Sequence, residues 1–296
     1  MGSSDSWQPM TSSLPTIERA RPLLGTNVAV RVHGLQEAQA HKAIDDAFAD
    51  IALIHRLMSF HETGSDVSRL NREAAVRAIA VHPATFEVLA WAERISRASE
   101  GAFDITVAPQ LVKSGLLPSP ENSPLPDTAA DWHDVELPRE HSVRFRRRLW
   151  IDLGGIAKGY AVDRALDILR AHGAIQGCVN AGGDLAIFGP EAEVVRLDAP
   201  ALEDALPVLE VENAAVASSG PSREAGASEA ARPHVDGRSR RAISTAGFVS
   251  VVAPRCIIAD ALTKIVLVLG EDSAPVLRSH QASAHLYDGT GWRHFG

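Results

Sequence analysis

Cysteine, tyrosine and methionine are all scarce in this chain, and positive charge is not in excess. The only cysteines, Cys178 and Cys256, lie far apart in apolar, strand-like surroundings. With no CxxC pair and no Cys/His cluster, the sequence speaks against a structural zinc site and favours two buried thiols over a disulfide. A formal charge of -8 argues against a nucleic-acid partner, which would call for a basic face. The one dense basic run, Arg144, Arg146, Arg147 and Arg148, alternates with Val143, Phe145 and Leu149 and reads as a strand with a solvated edge. No apolar run approaches the roughly 18 residues of a membrane span. The N-terminal stretch has neither an apolar h-region nor a small-residue cleavage site. Residues 1–21 therefore read as a flexible arm, residues 22–296 as the folded part, and the protein as soluble and cytoplasmic.

With 45% hydrophobic and 22% charged residues, the rest of the chain is ordinary globular material. Val28, Val30 and Val32 alternate as in a half-buried strand. From Gln36 to Met58, Ala40, Ala43, Ile44, Ala47, Ile51 and Ile54 recur at helical spacing. A second helix fits Pro83–Ser99, with the proline suited to the first turn. Prolines and serines mark 117–126 as an irregular surface excursion. Trp150–Leu153 reads as a strand entering a Gly-Gly turn, followed by a helix over Ala157–His172 that ends at Gly173. CVNAGGDLAIFG reads as strand, glycine turn, strand, and Ala217–Arg241 as a mobile loop. Interleaved strands and helices without a repeat predict a single α+β domain with mixed sheets and packed helices.

Several short segments are able to carry chemistry. In IDLGGIAKGY, a Gly-Gly turn before a helix lets backbone N–H groups approach an anion, and Lys158 adds a charge in the first helical turn. The turn is neither a Walker A loop nor a GxGxxG fingerprint. Asp152 either accepts a hydrogen bond from a ligand or fixes the turn. AGGD, around Asp184, offers a second place of close backbone approach. Asp260 and Lys264 lie four apart on one helix face, the spacing of a surface ion pair. Their segment is too apolar to be a surface, however, so Asp260 needs a cation, a metal or the lysine itself. Asp104 in GAFD contacts a ligand or caps the next turn. His234, in a basic loop, is either solvated or an acid–base group.

Taken in order, LGT, MSFHETGSDVSRLN, GAFDITV, IDLGGIAKGYAVD, VNAGGD, PHVDGR and ADALTK resemble the ApbE family of FAD:protein FMN transferases, from about Leu23 to Gly270. The resemblance implies an α+β domain that binds FAD and uses Mg²⁺ to move FMN onto a threonine hydroxyl of an acceptor flavoprotein, releasing AMP. It further implies that His61 stands where the family has a flavin-packing tyrosine. Ala102, Phe103, Asp104, Asp152, Lys158 and Val235 are the implied FAD contacts. Gly155 (through its carbonyl), Asp260 and Thr263 are the implied metal ligands, and His234 and Asp260 the catalytic residues.

The resemblance departs at two places. The family pairs Asp with Thr four residues on, whereas here Thr263 falls one position early and Lys264 takes the expected place. HVDGRSRR also replaces the family's HIIDPRTG. Two other expectations therefore stand beside the active transferase: a catalytically inactive FAD-binding protein in which Lys264 substitutes for the metal, and an FAD pyrophosphatase.

Overall fold

The computed structural model describes residues 14–120, 122–197, 207–220, 234–243 and 247–296. In chain order its elements are strands β1 (Thr16–Leu23) and β2 (Thr26–His33), helices α1 (Glu37–Met58) and α2 (Asp66–Glu73), strand β3 (Ile79–Ala80), and helices α3 (Pro83–Ala98) and α4 (Ala108–Lys113). Strands β4 (Val135–Arg139) and β5 (Ser142–Phe145) follow, then helix α5 (Ala157–Ala171) and strands β6 (Gln176–Ala181), β7 (Asp184–Phe188), β8 (Glu193–Arg196), β9 (Val208–Val211) and β10 (Ala215–Ser219). The chain continues through β11 (His234–Asp236), β12 (Arg241–Ile243), β13 (Phe248–Ala253), helices α6 (Cys256–Leu269) and α7 (Ala274–Ser279), and ends with β14 (Ser283–Tyr287) and β15 (Trp292–Phe295).

Eight strands form the main sheet in the order β1-β2-β6-β7-β10-β13-β14-β15. The α+β class holds, and every pairing among the described strands is antiparallel, so the expected mixed sheets are not what forms. Period-two alternation sends Val28, Val30, Val32, Val179, Ala215, Ala217, Val249 and Val251 to one face, where α1, α5 and α6 cover them in one core. The other face carries Leu185, Ile187 and Val216, which pack with Val195, Leu209 and Val211 of the β8–β9 hairpin.

The long helices fall where apolar periodicity put them. Ala40, Ala43, Ile44, Ala47, Ile51 and Ile54 of α1 are buried, and Pro83 opens α3. Helices α5 and α6 meet at backbone contact: a methyl on Gly159 would lie 2.3 Å from the Cys256 carbonyl oxygen. Asp163 caps α6, accepting the N–H groups of Cys256 at 2.7 Å and Ile257 at 3.0 Å. Burial pushes the Asp163 carboxyl up to about 6.

Four local expectations need correction. Strand β1 takes in residues 16–21, against the expectation of a flexible arm through residue 21, because each of them finds a ladder partner on β2; residues 1–13 lie outside the described part. Trp150–Leu153 is not a strand. Its backbone groups are taken by the Asn71 amide, which accepts from Ile151 N–H at 2.8 Å and donates to Ile151 O at 3.1 Å, and by Ile105 O, which accepts from Asp152 N–H. The basic run leaves the ladder after Phe145, where Arg146 N–H turns to Asp134 O. The segment 217–241 is not one loop: β10 holds its start and β11 and β12 its end, with 221–233 outside the described residues. Both cysteines are free thiols, Cys256 buried and Cys178 partly so.

Candidate functional site

A groove of about 780 Å³ opens on the sheet face away from the long helices, walled on one side by the β8–β9 hairpin. Lys158, Asn180, Ser219, His234, Phe248 and Lys264 line it, from six different parts of the chain. The hairpin is held to the sheet by an Arg31–Glu193 ion pair and by Leu197 against Phe248.

Four charged side chains meet at the end of this groove. Asp260 on α6 is wholly buried. One of its carboxylate oxygens, Oδ2, accepts the Gly159 N–H at 3.0 Å, and the other, Oδ1, is ion-paired with Lys264. The Lys264 Nζ also donates to the Asp260 carbonyl at 3.0 Å. Burial works to raise the Asp260 carboxyl, but Lys264 and Lys158 outweigh it and hold it below the usual range. Asp184, buried at the start of β7, lies 2.7 Å from the Lys158 Nζ, near enough for an ion pair though out of line for a hydrogen bond. Its own burial and the Asp260 charge push it up to about 6. Lys158 is drawn up in turn, because Asp184 and Asp260 overcome its desolvation.

His234 opens β11, which pairs with β12 and packs on α6. Burial, and then the Lys264 charge, lower His234 to about 4, so its ring is neutral near pH 7. Val235 follows it on β11, half-buried and opposite Ala242. The β11–β12 turn sits against the GAFD turn, with Gly237 N–H donating to Ala102 O at 3.3 Å. A methyl on Gly237 would lie 2.2 Å from Gly101 O.

The structure brings together most of the residues singled out from the sequence. Gly155 lies between Phe103 and Lys264, since a methyl there would be 3.6 Å from Phe103 Cε2 and 3.5 Å from Lys264 Cε. Ala102 and Phe103 are buried beside it. Asp152 lies beside the N–H groups of Gly154 and Leu153, which favour its charged form, but burial outweighs them and raises its carboxyl. Asp104 is fully engaged: it takes Thr106 N–H at 2.7 Å, Thr106 Oγ1 at 2.8 Å, Trp132 N–H at 3.3 Å and Arg240 Nη2 at 2.8 Å. His61 is not in the groove. It is exposed and lines a smaller pocket with Phe60, Asn71, Arg72 and Pro118, facing Asp152.

The residues expected to bind a metal do not fit a divalent cation as they are arranged. Thr263 Oγ1 donates to Asp260 O at 2.7 Å and meets Ser219 Oγ at 2.8 Å. The free oxygen of Asp260 is covered by Lys264. Among the described residues, no three His, Cys, Asp or Glu side chains converge to hold a metal.

Asp184 and Arg240 were missed as functional groups from the sequence. Asp184 left one signal, an acidic residue opening a strand whose every position is buried. Arg240 left none, because its partner is 136 residues away.

The chain matches the ApbE family over residues 24–286. It is 28% identical over 277 residues to the FAD:protein FMN transferase of Haemophilus influenzae, covering 85% of this chain and 80% of that protein. It is 27% identical to the FAD:protein FMN transferase of Vibrio cholerae, covering 73% and 70% of the two chains. The structure of the ApbE protein from Thermotoga maritima superimposes with a TM-score of 0.81 at 26% identity, covering 95% of this chain and 97% of that one. The flavin transferase ApbE of Vibrio cholerae shares the fold, with a TM-score of 0.80 at 22% identity and the same two coverages. By sequence and by fold, this chain belongs to the ApbE family.

Proposed function

We propose that the chain is an FAD:protein FMN transferase: it binds FAD in the groove and moves FMN onto a threonine hydroxyl of an acceptor protein, releasing AMP. The observation that carries this reading is the convergence of Lys158, Lys264 and His234 on one groove. Two ammonium groups suit a diphosphate, and a neutral imidazole beside them suits the abstraction of a hydroxyl proton.

The step balances as a displacement at phosphorus. The threonine Oγ forms a bond to the phosphorus of the FMN half, and the bond from that phosphorus to the bridging oxygen breaks. AMP departs with the bridging oxygen, and the threonine proton passes to the His234 ring. Lys158 and Lys264 face the charge that builds on the leaving phosphate, where fixed cations lower the barrier most. No step is assigned to Mg²⁺, because the Gly155, Asp260 and Thr263 set does not fit that ion as arranged.

The test is incubation of the protein with FAD and a threonine-bearing acceptor peptide, read by mass spectrometry. FMN attached to the peptide with equimolar AMP is the expected result. Free FMN with AMP would mean a pyrophosphatase. FAD bound with no AMP would favour an inactive FAD-binding protein, a second reading motivated by the ammonium already resting on Asp260.

A further inference from the structure

In the site described above, the position of a cation is filled by the chain itself. Asp260 is buried in α6, and a buried carboxylate is tolerated only with a compensating charge. Lys264, one helical turn on, supplies it. Its stem lies beside Gly155, and its ammonium is fixed on two oxygens of Asp260, the carbonyl and Oδ1. An ammonium carries three N–H donors, so two are committed and the third is left for the groove that Lys264 lines. At the same end of the groove Lys158 lies 2.7 Å from the Asp184 carboxylate, a second buried acid with an ammonium beside it. The two carboxylates and two ammonium groups cancel in charge. An incoming diphosphate therefore meets two ammonium groups already held in place by buried carboxylates.

We propose that the Lys264 ammonium is the resident cation of this site, so that an organic diphosphate, FAD in the reading above, binds on Lys264 and Lys158 without a divalent metal. The proposal rests on that functional reading. It goes beyond it in assigning the metal's contact with the diphosphate to a side-chain ammonium. Lys264 also guards the site, because a metal on Asp260 would have to expel a covalently tethered ammonium from a buried carboxylate. The consequence is a protein whose flavin affinity is indifferent to chelators.

The test uses the full chain, with FAD affinity measured by quenching of flavin fluorescence in EDTA and again in Mg²⁺, and with Mg²⁺ alone titrated by calorimetry. The expected result is an FAD affinity that changes by less than about twofold between the two buffers, with no heat of Mg²⁺ binding. Lys264→Thr, which removes the ammonium, is expected to lose about tenfold or more in FAD affinity in EDTA, to recover part of it in Mg²⁺, and to show a Mg²⁺ site by calorimetry. Lys264→Arg keeps the charge and is expected to keep metal-free binding. The proposal is overturned if the unmodified protein needs Mg²⁺ to bind FAD, or if it titrates a Mg²⁺ site. Both measurements stand even if Lys264→Thr does not fold. Equal FAD affinity of folded Lys264→Thr and the parent in EDTA also overturns it. Failure of the unmodified protein to bind FAD in either buffer removes the functional reading and the cation assignment together, an outcome distinct from a metal requirement.

Discussion

Arg240 donates through Nη2 to Asp104 Oδ2 at 2.8 Å, tying the hairpin that carries His234 to the turn that carries Phe103. The same nitrogen reaches Thr106 Oγ1 at 2.9 Å and Ala130 O at 3.0 Å. Arg240 sits at φ +57°, in the left-handed region, so the backbone is bent to deliver the guanidinium there.

Replacing Arg240 by alanine is expected to cost about 3 kcal/mol of stability, because it leaves Asp104 buried without its cation. Urea denaturation measures it. The double variant with Asp104→Asn should lose less than the two single losses added together, since the removed groups are partners. Additive losses would show that the pair is not coupled.

His234 is expected to govern transfer and not the binding of flavin. His234→Ala should lower the rate of AMP release by about 10²- to 10⁴-fold while FAD affinity stays within about threefold. Single-turnover release of AMP and a fluorescence titration separate the two. A parallel collapse of both would place His234 among the binding residues.

The pH profile should carry the mark of a histidine lowered from 6.5 to about 4. Transfer is expected to survive acidification through pH 6.5 and to decline as pH approaches 4, where His234 takes up a proton. Between those values the unfolded chain binds the proton and the folded chain does not. The contribution of His234 to stability is therefore full above pH 6.5, is lost progressively as pH falls toward 4, and changes no further below that. His234→Asn should flatten that component of a stability–pH curve, and an unchanged curve would refute the assignment.

Gly159→Ala should destabilise by about 1–3 kcal/mol, because its methyl meets the Cys256 carbonyl carbon and oxygen and neither can move without parting α5 from α6. The melting temperature should fall by about 2–4 °C for each kcal/mol lost. Gly64→Ala, where a methyl meets nothing within 4 Å, is the control. Because Gly159 N–H also holds Asp260 Oδ2, the first variant should weaken FAD binding as well, and the control should not.

Much of the site could be read from the sequence where the chemistry was local. The Gly-Gly turn before Lys158 and the four-residue spacing of Asp260 and Lys264 both survive in the structure, because each is a matter of one turn or one helix. Local pattern failed at Trp150–Leu153, where a side chain, Asn71, replaces a neighbouring strand. It failed again at the ends of 217–241, where β10 pairs with β7 and β13 and β11 pairs with the adjacent β12, making ladders from residues that look like loop.

The family, the long helices, the glycine turns and the four-residue spacing of Asp260 and Lys264 were legible in the chain alone, since each depends on residues within a few positions of one another or on motif order; that Lys264 is the partner Asp260 takes came from the fold. Folding alone brought Lys158 to Asp184, Arg240 to Asp104 and Thr263 to Ser219, and left His61 outside the groove. Those outcomes follow from burial. A charge taken out of water must find its counter-charge wherever the fold brings one, and spacing along the chain carries no record of that partner.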